Sequence, residues 1–416
     1  MKVKFFTLGC KVNQYETRCL QEQFLSCGHT VASGAADLYV INTCTVTKQA
    51  DRKSKAAVLR AKKENPKAKI AVCGCLAQFN RPLIESWGVD YIVPQDEKPS
   101  LVSLVLPEEA GEPCLRNSKS VWSLKLTDYQ NQRALVKVQD GCDNFCSFCK
   151  IPHIRGKSIS RPKPQIIREI KALSPKHREV VLCGINLGLY GKDLKPALSL
   201  EQLVKDILDI PQLGRLRLSS LEPCLISNKL LLFLRNNKFC PHLHLPFQYG
   251  EDSILAKMNK KETVGLYEEK IARARKINKD VAISCDIMIG FPGETNKTFK
   301  STVDFLKVVR PMRMHIFSFS PRDKTKFMGT SPMSSVVVRK RYGELKALAD
   351  DFSYSYAKGF KGKILNMIPD EIKNGLTSGY TENYIKVCLK GKVPLGEIIP
   401  VKIKEIKSGK VFVSLA

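Results

Sequence analysis

The stretch Asp140-Gly-Cys-Asp-Asn-Phe-Cys-Ser-Phe-Cys149 carries the densest chemistry in the chain. Cys142, Cys146 and Cys149 stand at C-x3-C-x2-C spacing, so three thiolates can converge on one small polynuclear centre without a long loop. A closed structural zinc site takes four ligands. No fourth cysteine follows at zinc-finger distance, and the nearest histidine is His153, directly after Pro152. A [4Fe–4S] cluster usually takes four thiolates. Three leave one iron open, and an open iron can bind a substrate. A three-cysteine zinc site or a purely structural site is the competing reading of so short a motif.

Three further cysteines lie far apart in sequence but in equivalent places. Residues 1 to about 100 alternate strand and helix. Strands are expected over 3–8, 38–42, 70–72 and 91–93, and helices over 15–27, 49–64 and 81–87. That order predicts an α/β domain with a doubly wound parallel sheet. Cys10, Cys44 and Cys75 each follow one of its strands. In such sheets ligands bind beyond the carboxyl ends of the strands. The fold should therefore gather these thiols into a second three-cysteine site. The alternative is three unrelated small core residues, since free cysteine is often buried. Cys73 alternates away from Cys75 on the strand and is left out.

After an expected linker over 101–128, a second βα series begins. Its strands are expected over 134–138, 179–183, 215–219, 242–245, 282–289 and 315–318, with helices between them. Six strands make a partial (βα)6 barrel rather than the closed eight-stranded form. An open side suits a large substrate. The Cys142 loop follows the first strand, at the face where such barrels do chemistry. Gly184, Asn186, Glu222 and Gln248 stand at other strand ends of that face and are candidate ligand contacts, with ordinary turn chemistry as the alternative. Gly290-Phe-Pro-Gly-Glu294 lacks the ending of a phosphate loop, so nucleoside triphosphate binding is not supported. His242 and His244 share one side of a strand, where a hydrogen-bonded pair is favoured over zinc.

A mixed-charge helix over 339–358 leads to a small last module. From Tyr356 to the end there are 11 Lys and 5 acids, with no Arg. Strands expected over 363–367, 384–389, 398–406 and 411–413 predict a small antiparallel β-barrel, a form that commonly binds RNA. Tyr380 and Tyr384 are candidates for base stacking, with a core role as the alternative.

The 416 residues exceed one ordinary domain. Lys plus Arg number 68 against 40 acids, a net charge of +28 spread along the whole chain. So basic a protein points to a polyanion partner, nucleic acid ahead of a membrane. Fifteen cysteines at this length, without a signal peptide, point to a reducing cytoplasm and to metal ligands rather than disulfides. No stretch approaches a membrane span.

The order of parts resembles the methylthiotransferase family of radical S-adenosylmethionine (SAM) enzymes, over essentially the whole chain. The matching stretches are Leu8-Gly-Cys-Lys-Val-Asn-Gln-Tyr-Glu-Thr17, Asn42-Thr-Cys-Thr-Val46, Gly74-Cys-Leu-Ala-Gln78, Gly141-Cys-Asp-Asn-Phe-Cys-Ser-Phe-Cys149, Gly184-Ile-Asn-Leu-Gly-Leu-Tyr-Gly191, Ser219-Ser-Leu-Glu-Pro223, His244-Leu-Pro-Phe-Gln248, Asp286-Ile-Met-Ile-Gly-Phe-Pro-Gly-Glu-Thr295 and Phe317-Ser-Phe-Ser-Pro-Arg322. Tyr249, Glu251 and Asp323-Lys-Thr-Lys326 depart from the family pattern.

The resemblance implies an amino-terminal methylthiotransferase domain over 1–112, a radical SAM core over 128–355 and a TRAM RNA-binding barrel over 356–416. It implies two [4Fe–4S] clusters, one on Cys142, Cys146 and Cys149 and one on Cys10, Cys44 and Cys75. SAM would sit at the first, touched by Gly184, Asn186, Glu222 and Gln248. Partners would be a tRNA anticodon loop, an electron donor such as flavodoxin or ferredoxin, and a sulfur donor. Gly-Cys-Lys-Val-Asn followed by Tyr-Glu-Thr resembles the branch that methylthiolates N6-threonylcarbamoyladenosine at position 37 of tRNAs reading ANN codons. Branches acting on isopentenyladenosine or on a ribosomal-protein aspartate are the alternatives. A cluster-bearing RNA-binding or redox-sensing protein is the non-enzymatic one.

Overall fold

The computed structural model describes residues 1–106, 120, 122–124, 126–129 and 132–416. The first sheet holds β1 (Lys2–Thr7), β2 (Thr30–Val31), β3 (Leu38–Thr43), β4 (Lys69–Gly74) and β5 (Tyr91–Val93), all parallel, in the order β2-β1-β3-β4-β5. Every residue of the central β3 is buried, as a strand covered on both faces requires. Helix Lys11–Ser26 buries Leu20 and Phe24 with Val3, Val40 and Cys73. Helix Lys48–Glu64 buries Val58 and Ala61 with the alternate residues Tyr39, Ile41 and Val72. Thr47 caps its start by accepting a bond from the Ala50 amide, 3.2 Å, and it ends before Pro66. The linker expected over 101–128 falls largely outside the described residues, and its first part is helix Leu101–Val105.

The central domain runs through β6 (Arg133–Lys137), β7 (Gln139–Asp140), β8 (Ile159–Ser160), β9 (Glu179–Cys183), β10 (Arg215–Leu218), β11 (His242–Gln248), β12 (Ala282–Ile289) and β13 (Arg313–Ser318). β6, β9 and β10 form one parallel sheet, and β11, β12 and β13 another. Parallel bridges Leu216–Phe239 and Ser220–His244 join them, giving six barrel strands in the order β6-β9-β10-β11-β12-β13. β7 and β8 pair antiparallel and bracket the first cysteine loop. Neither short strand nor β2 has a periodicity that a sequence reading could find.

The amino-terminal domain spans the gap between the barrel's edges. On the β6 side, the Tyr15 hydroxyl donates to Glu169 Oε1 at 3.0 Å. Beyond β13, Arg322 Nη2 donates to Thr45 Oγ1 at 2.8 Å.

Helix Ser335–Lys358 leads to β14 (Ile364–Lys373), β15 (Leu376–Thr381), β16 (Lys386–Lys390), β17 (Ile399–Lys407) and β18 (Lys410–Leu415). They close a barrel in the order β14-β15-β16-β18-β17. The sequence reading missed β15, because Gly379 interrupts it. A Cβ at that position would overlap the Ile368 carbonyl, so the glycine permits close strand approach.

This barrel is clamped beneath the core by Arg215, whose Nη1 and Nη2 donate to the Asn366 and Tyr380 carbonyls at 2.7 and 3.0 Å. Tyr380 and Tyr384 stack on each other at 4.8 Å, His242 stacks on Tyr384 at 4.4 Å and Arg133 lies 4.5 Å from the Tyr380 ring centre. These ring faces are thus engaged against the core, which favours the core role over base stacking for both tyrosines. Among the described residues, no helix is long and apolar enough to cross a membrane.

Candidate functional site

Two groups of cysteine loops face each other where the first domain meets the barrel. The Cys142 loop is held from behind. Ser147 Oγ donates to the Lys257 carbonyl at 2.8 Å, the Lys326 amide to the Ser147 carbonyl at 3.1 Å, and Asn259 Nδ2 to the Phe145 carbonyl at 3.0 Å. Phe148 packs edge-on to Phe291 at 6.3 Å. Phe145 has a φ of 46°, a left-handed conformation that in a non-glycine residue costs about 1–3 kcal/mol and clusters at functional sites. Gly141 has a φ of 72°, and a Cβ there would overlap the Lys157 carbonyl. Gly141→Ala should therefore destabilise the loop by roughly 1–3 kcal/mol. Chemical denaturation checks this, and an unchanged midpoint would show that the turn relaxes freely.

The thiols are partly shielded. Burial pushes the Cys146 pKa up to about 12 and that of Cys149 up to about 11, and Cys142 adds to both shifts through charge. Asn186 Nδ2 lies 3.8 Å from Cys142 Sγ.

The second group is laced together by amide and hydroxyl side chains. Asn13 Nδ2 donates to the Leu8 carbonyl at 2.8 Å and to the Thr43 carbonyl at 2.9 Å, tying the Cys10 loop to the Cys44 loop. Thr43 Oγ1 donates to the Cys73 carbonyl at 2.6 Å and accepts from the Leu76 amide at 3.2 Å, tying in the Cys75 loop. A Cβ on Gly9 would lie 2.7 Å from Cys44 Cβ, so those loops touch. Burial pushes Cys44 up to about 12, with Cys75 and Cys10 adding to the shift. Burial beneath the surrounding loops also raises the Cys10 pKa, although part of the residue stays exposed. Cys73 is wholly buried in the core.

Arg155 joins the two groups, and the sequence reading missed it. It ends helix Ile151–Arg155, six residues past Cys149. Its guanidinium donates to Asn13 Oδ1 at 2.7 Å, Asp140 Oδ1 at 2.9 Å and Glu16 Oε1 at 3.0 Å. Lys137 bridges Glu16 at 2.8 Å and Asp140 at 2.6 Å, and Lys98 meets Glu16 at 2.6 Å. Three cations thus enclose two carboxylates in a site almost closed to water. The excess positive charge lies beside the thiols: Arg155 pulls the Cys10 pKa down against burial. Alternating charges at such spacing read as solvated surface in a sequence, and only the docking of two domains buries them.

Candidate ligand groups line the barrel's upper face. Gln248 ends β11 with a φ of 66°, and its Oε1 is buried without a hydrogen-bond partner. Asn186 Oδ1 and Ser219 Oγ are also buried without one. Buried polar atoms are normally paired, so three orphans at strand ends fit a polar ligand. Glu222 pairs with Lys260, a second residue the sequence reading missed, while burial and Glu262 push its carboxyl up. Gly184 has a packing reason, since a Cβ would lie 2.8 Å from Gln139 Oε1. His242 and His244 both hydrogen-bond Ser284 Oγ, at 2.8 and 2.9 Å. Tyr249 is buried, with its hydroxyl 3.3 Å from Thr298 Oγ1.

The donor sets suit polynuclear centres. Among the described residues, no three His, Cys, Asp or Glu side chains converge closely enough to share one metal ion. A [4Fe–4S] cluster gives each thiolate its own iron and asks for wider spacing.

Residues 136–306 match the Radical SAM superfamily, and residues 2–93 match the uncharacterized protein family UPF0004. Among solved structures, the radical S-adenosylmethionine methyltransferase TsrM from Kitasatospora setae, with cobalamin and a [4Fe–4S] cluster bound, aligns at a TM-score of 0.58 and 13% identity, over 91% of this chain and 80% of that one. Fold and first cysteine loop together define a radical SAM protein.

The threonylcarbamoyladenosine tRNA methylthiotransferase MtaB of Bacillus subtilis is 34% identical over 98% of this chain and 94% of its own. The tRNA-2-methylthio-N(6)-dimethylallyladenosine synthase of Fervidobacterium nodosum is 29% identical over 99% of this chain and 98% of its own. The chain belongs to the radical SAM methylthiotransferase family.

Proposed function

We propose that this protein adds a methylthio group to C2 of N6-threonylcarbamoyladenosine at position 37 of tRNAs reading ANN codons. The observation that carries the reading is the join Arg155 makes between Asn13, three residues past Cys10, and Asp140, two residues before Cys142. The full-length relation to the Bacillus subtilis enzyme selects the substrate. The relation to the dimethylallyladenosine synthase keeps an isopentenylated adenosine as the second reading.

In this reading Cys142, Cys146 and Cys149 hold one [4Fe–4S] cluster with SAM beside it, and Cys10, Cys44 and Cys75 hold another. When bound, these groups supply the electron, the hydrogen abstraction, and the sulfur and methyl that replace that hydrogen. The chain's own residues position and shield. Asn186 and Gln248 offer their orphan amide oxygens to SAM, and Glu222 is fixed for the same task by Lys260. Arg155 offsets the negative charge of the Cys10 and Cys44 thiolates. Phe148 and Phe291 keep water from the back of the first loop.

We read 1–112 as a doubly wound methylthiotransferase domain, 128–355 as the radical SAM core and 356–416 as a TRAM barrel, whose lysine excess favours the tRNA backbone. A flavodoxin- or ferredoxin-type donor and a sulfur donor complete the set, in a cytoplasmic setting.

Reconstituted protein given SAM, a reductant and tRNA should form the 2-methylthio nucleoside on tRNA bearing the threonylcarbamoyl group and none on isopentenylated tRNA. Nucleoside mass spectrometry reads the result. The reverse preference would refute the substrate while leaving the reaction class standing.

A further inference from the structure

A second cavity lies below the cysteine loops, among all three parts of the molecule. It measures about 510 Å³, and its wall includes Lys11 and Gln14 from the first helix, Arg133 of β6, Arg217 of β10, and Tyr384 and Lys386 of the last barrel. The acids in its wall are Asp370 and Glu371, and Asp370 is already paired with Arg133 at 3.5 Å. The wall is therefore positive in balance.

Two of its cations have unused donors. Arg217 is 2% exposed, and its Nη1 is buried without a hydrogen-bond partner, although Nε and Nη2 hold Glu179 at 2.8 and 3.1 Å. The Lys11 ammonium makes no ion pair or hydrogen bond among the described residues. It lies within electrostatic reach of Cys183 on β9, His242 on β11 and Tyr384, so it projects into the barrel's interior. Four cations, Lys11, Arg133, Arg217 and Arg313, act together on the Tyr384 hydroxyl and lower its pKa against burial. An unpaired buried guanidinium N–H beside an unpaired, half-buried ammonium in a positive cavity calls for an anion. Lys11 directly follows Cys10, so the cavity begins where the second cysteine group ends.

We propose that this cavity receives the carboxylate-bearing arm on N6 of the substrate adenosine, with Lys11 and Arg217 as its donors. The proposal rests on the methylthiotransferase reading above. With the adenine ring at the cysteine loops, the threonyl carboxylate extends past Cys10 to Lys11 and down to the free Arg217 N–H, and the Gln14 amide serves the polar groups of the arm. A prenyl arm would leave both cations unpaired against an apolar group. Sites built to hydrogen-bond a polar group reject analogues that lack it strongly. The cavity thus acts as the specificity element.

The test is binding of three anticodon stem-loops to the reconstituted full-length protein. One carries threonylcarbamoyladenosine, one its carboxyl methyl ester, and one plain adenosine. Wild type should prefer the first over the other two by roughly 10-fold or more, the scale of one charge-assisted hydrogen bond. Lys11→Met should bring the three close to parity, and Lys11→Arg should restore the preference. Iron content and thermal midpoint of both variants report on folding.

Equal weakening of all three RNAs by Lys11→Met would place Lys11 on the phosphate backbone and overturn the proposal. Wild type that binds ester and acid alike would overturn it without any variant. A wild type that also leaves the threonylcarbamoyl tRNA unmodified would remove the functional reading itself, which is a separate outcome.

Discussion

Cys44→Ser is expected to separate the two halves of the reaction. Cleavage of SAM to 5′-deoxyadenosine should persist, because Cys44 belongs to the amino-terminal group. Methylthio product should vanish. Cys142→Ser should stop SAM cleavage and product together. Removing even the outer partners of metal ligands costs about 10–100-fold, and loss of a ligand should exceed that range. Iron content should fall in both variants while the other centre remains. Methylthio product from the Cys44 variant would end the assignment of separate tasks to the two groups.

Arg155→Met should be the most damaging change outside the cysteines. Removing one member of a buried ion network leaves opposite charges dry and costs about 3–5 kcal/mol. Here Glu16 and Asp140 would keep Lys98 and Lys137 as their cations. Arg155→Lys should recover part of the loss, since lysine keeps the charge but not the fork that reaches Asn13, Glu16 and Asp140 together. Denaturation midpoints and cluster content of the three proteins are the measurements. A midpoint unchanged in the Met variant would show that the guanidinium is dispensable to the join.

The sequence made some of this arrangement legible and hid the rest for physical reasons. Cys10, Cys44 and Cys75 could be grouped because each follows a strand, and parallel sheets collect loops at one edge. The six barrel strands could be counted because buried parallel strands read as apolar runs. Arg155, Lys260 and Glu16 stayed hidden, because Arg155 and Glu16 pair with each other across two domains and Lys260 reaches Glu222 in another loop. Asn13 could be seen beside Cys10, but its task depends on where the Thr43 carbonyl comes to lie. The choice between base stacking and a core role for Tyr380 and Tyr384 stayed open for the same kind of reason: which ring face is free depends on Arg133 and His242, more than a hundred residues earlier. β15 failed on local grounds, since a glycine that permits close packing looks the same in sequence as one that ends a strand.

The lacing of the amino-terminal loops also bears on how the chain is made. Asn13, Asn42 and Thr43 tie the three loops using only residues that precede Phe79. Synthesis at about 5–20 residues per second puts about 4–16 s between the appearance of Cys75 and that of Arg155. During that interval the nascent domain can assemble its thiols with the barrel still absent. The face that later meets the barrel is then open to the ribosome exit, to chaperones and to metal-delivery factors. Arrival of Arg155 closes it through bonds to Asn13, Glu16 and Asp140. The three amino-terminal thiols are therefore easiest to reach at birth rather than at maturity.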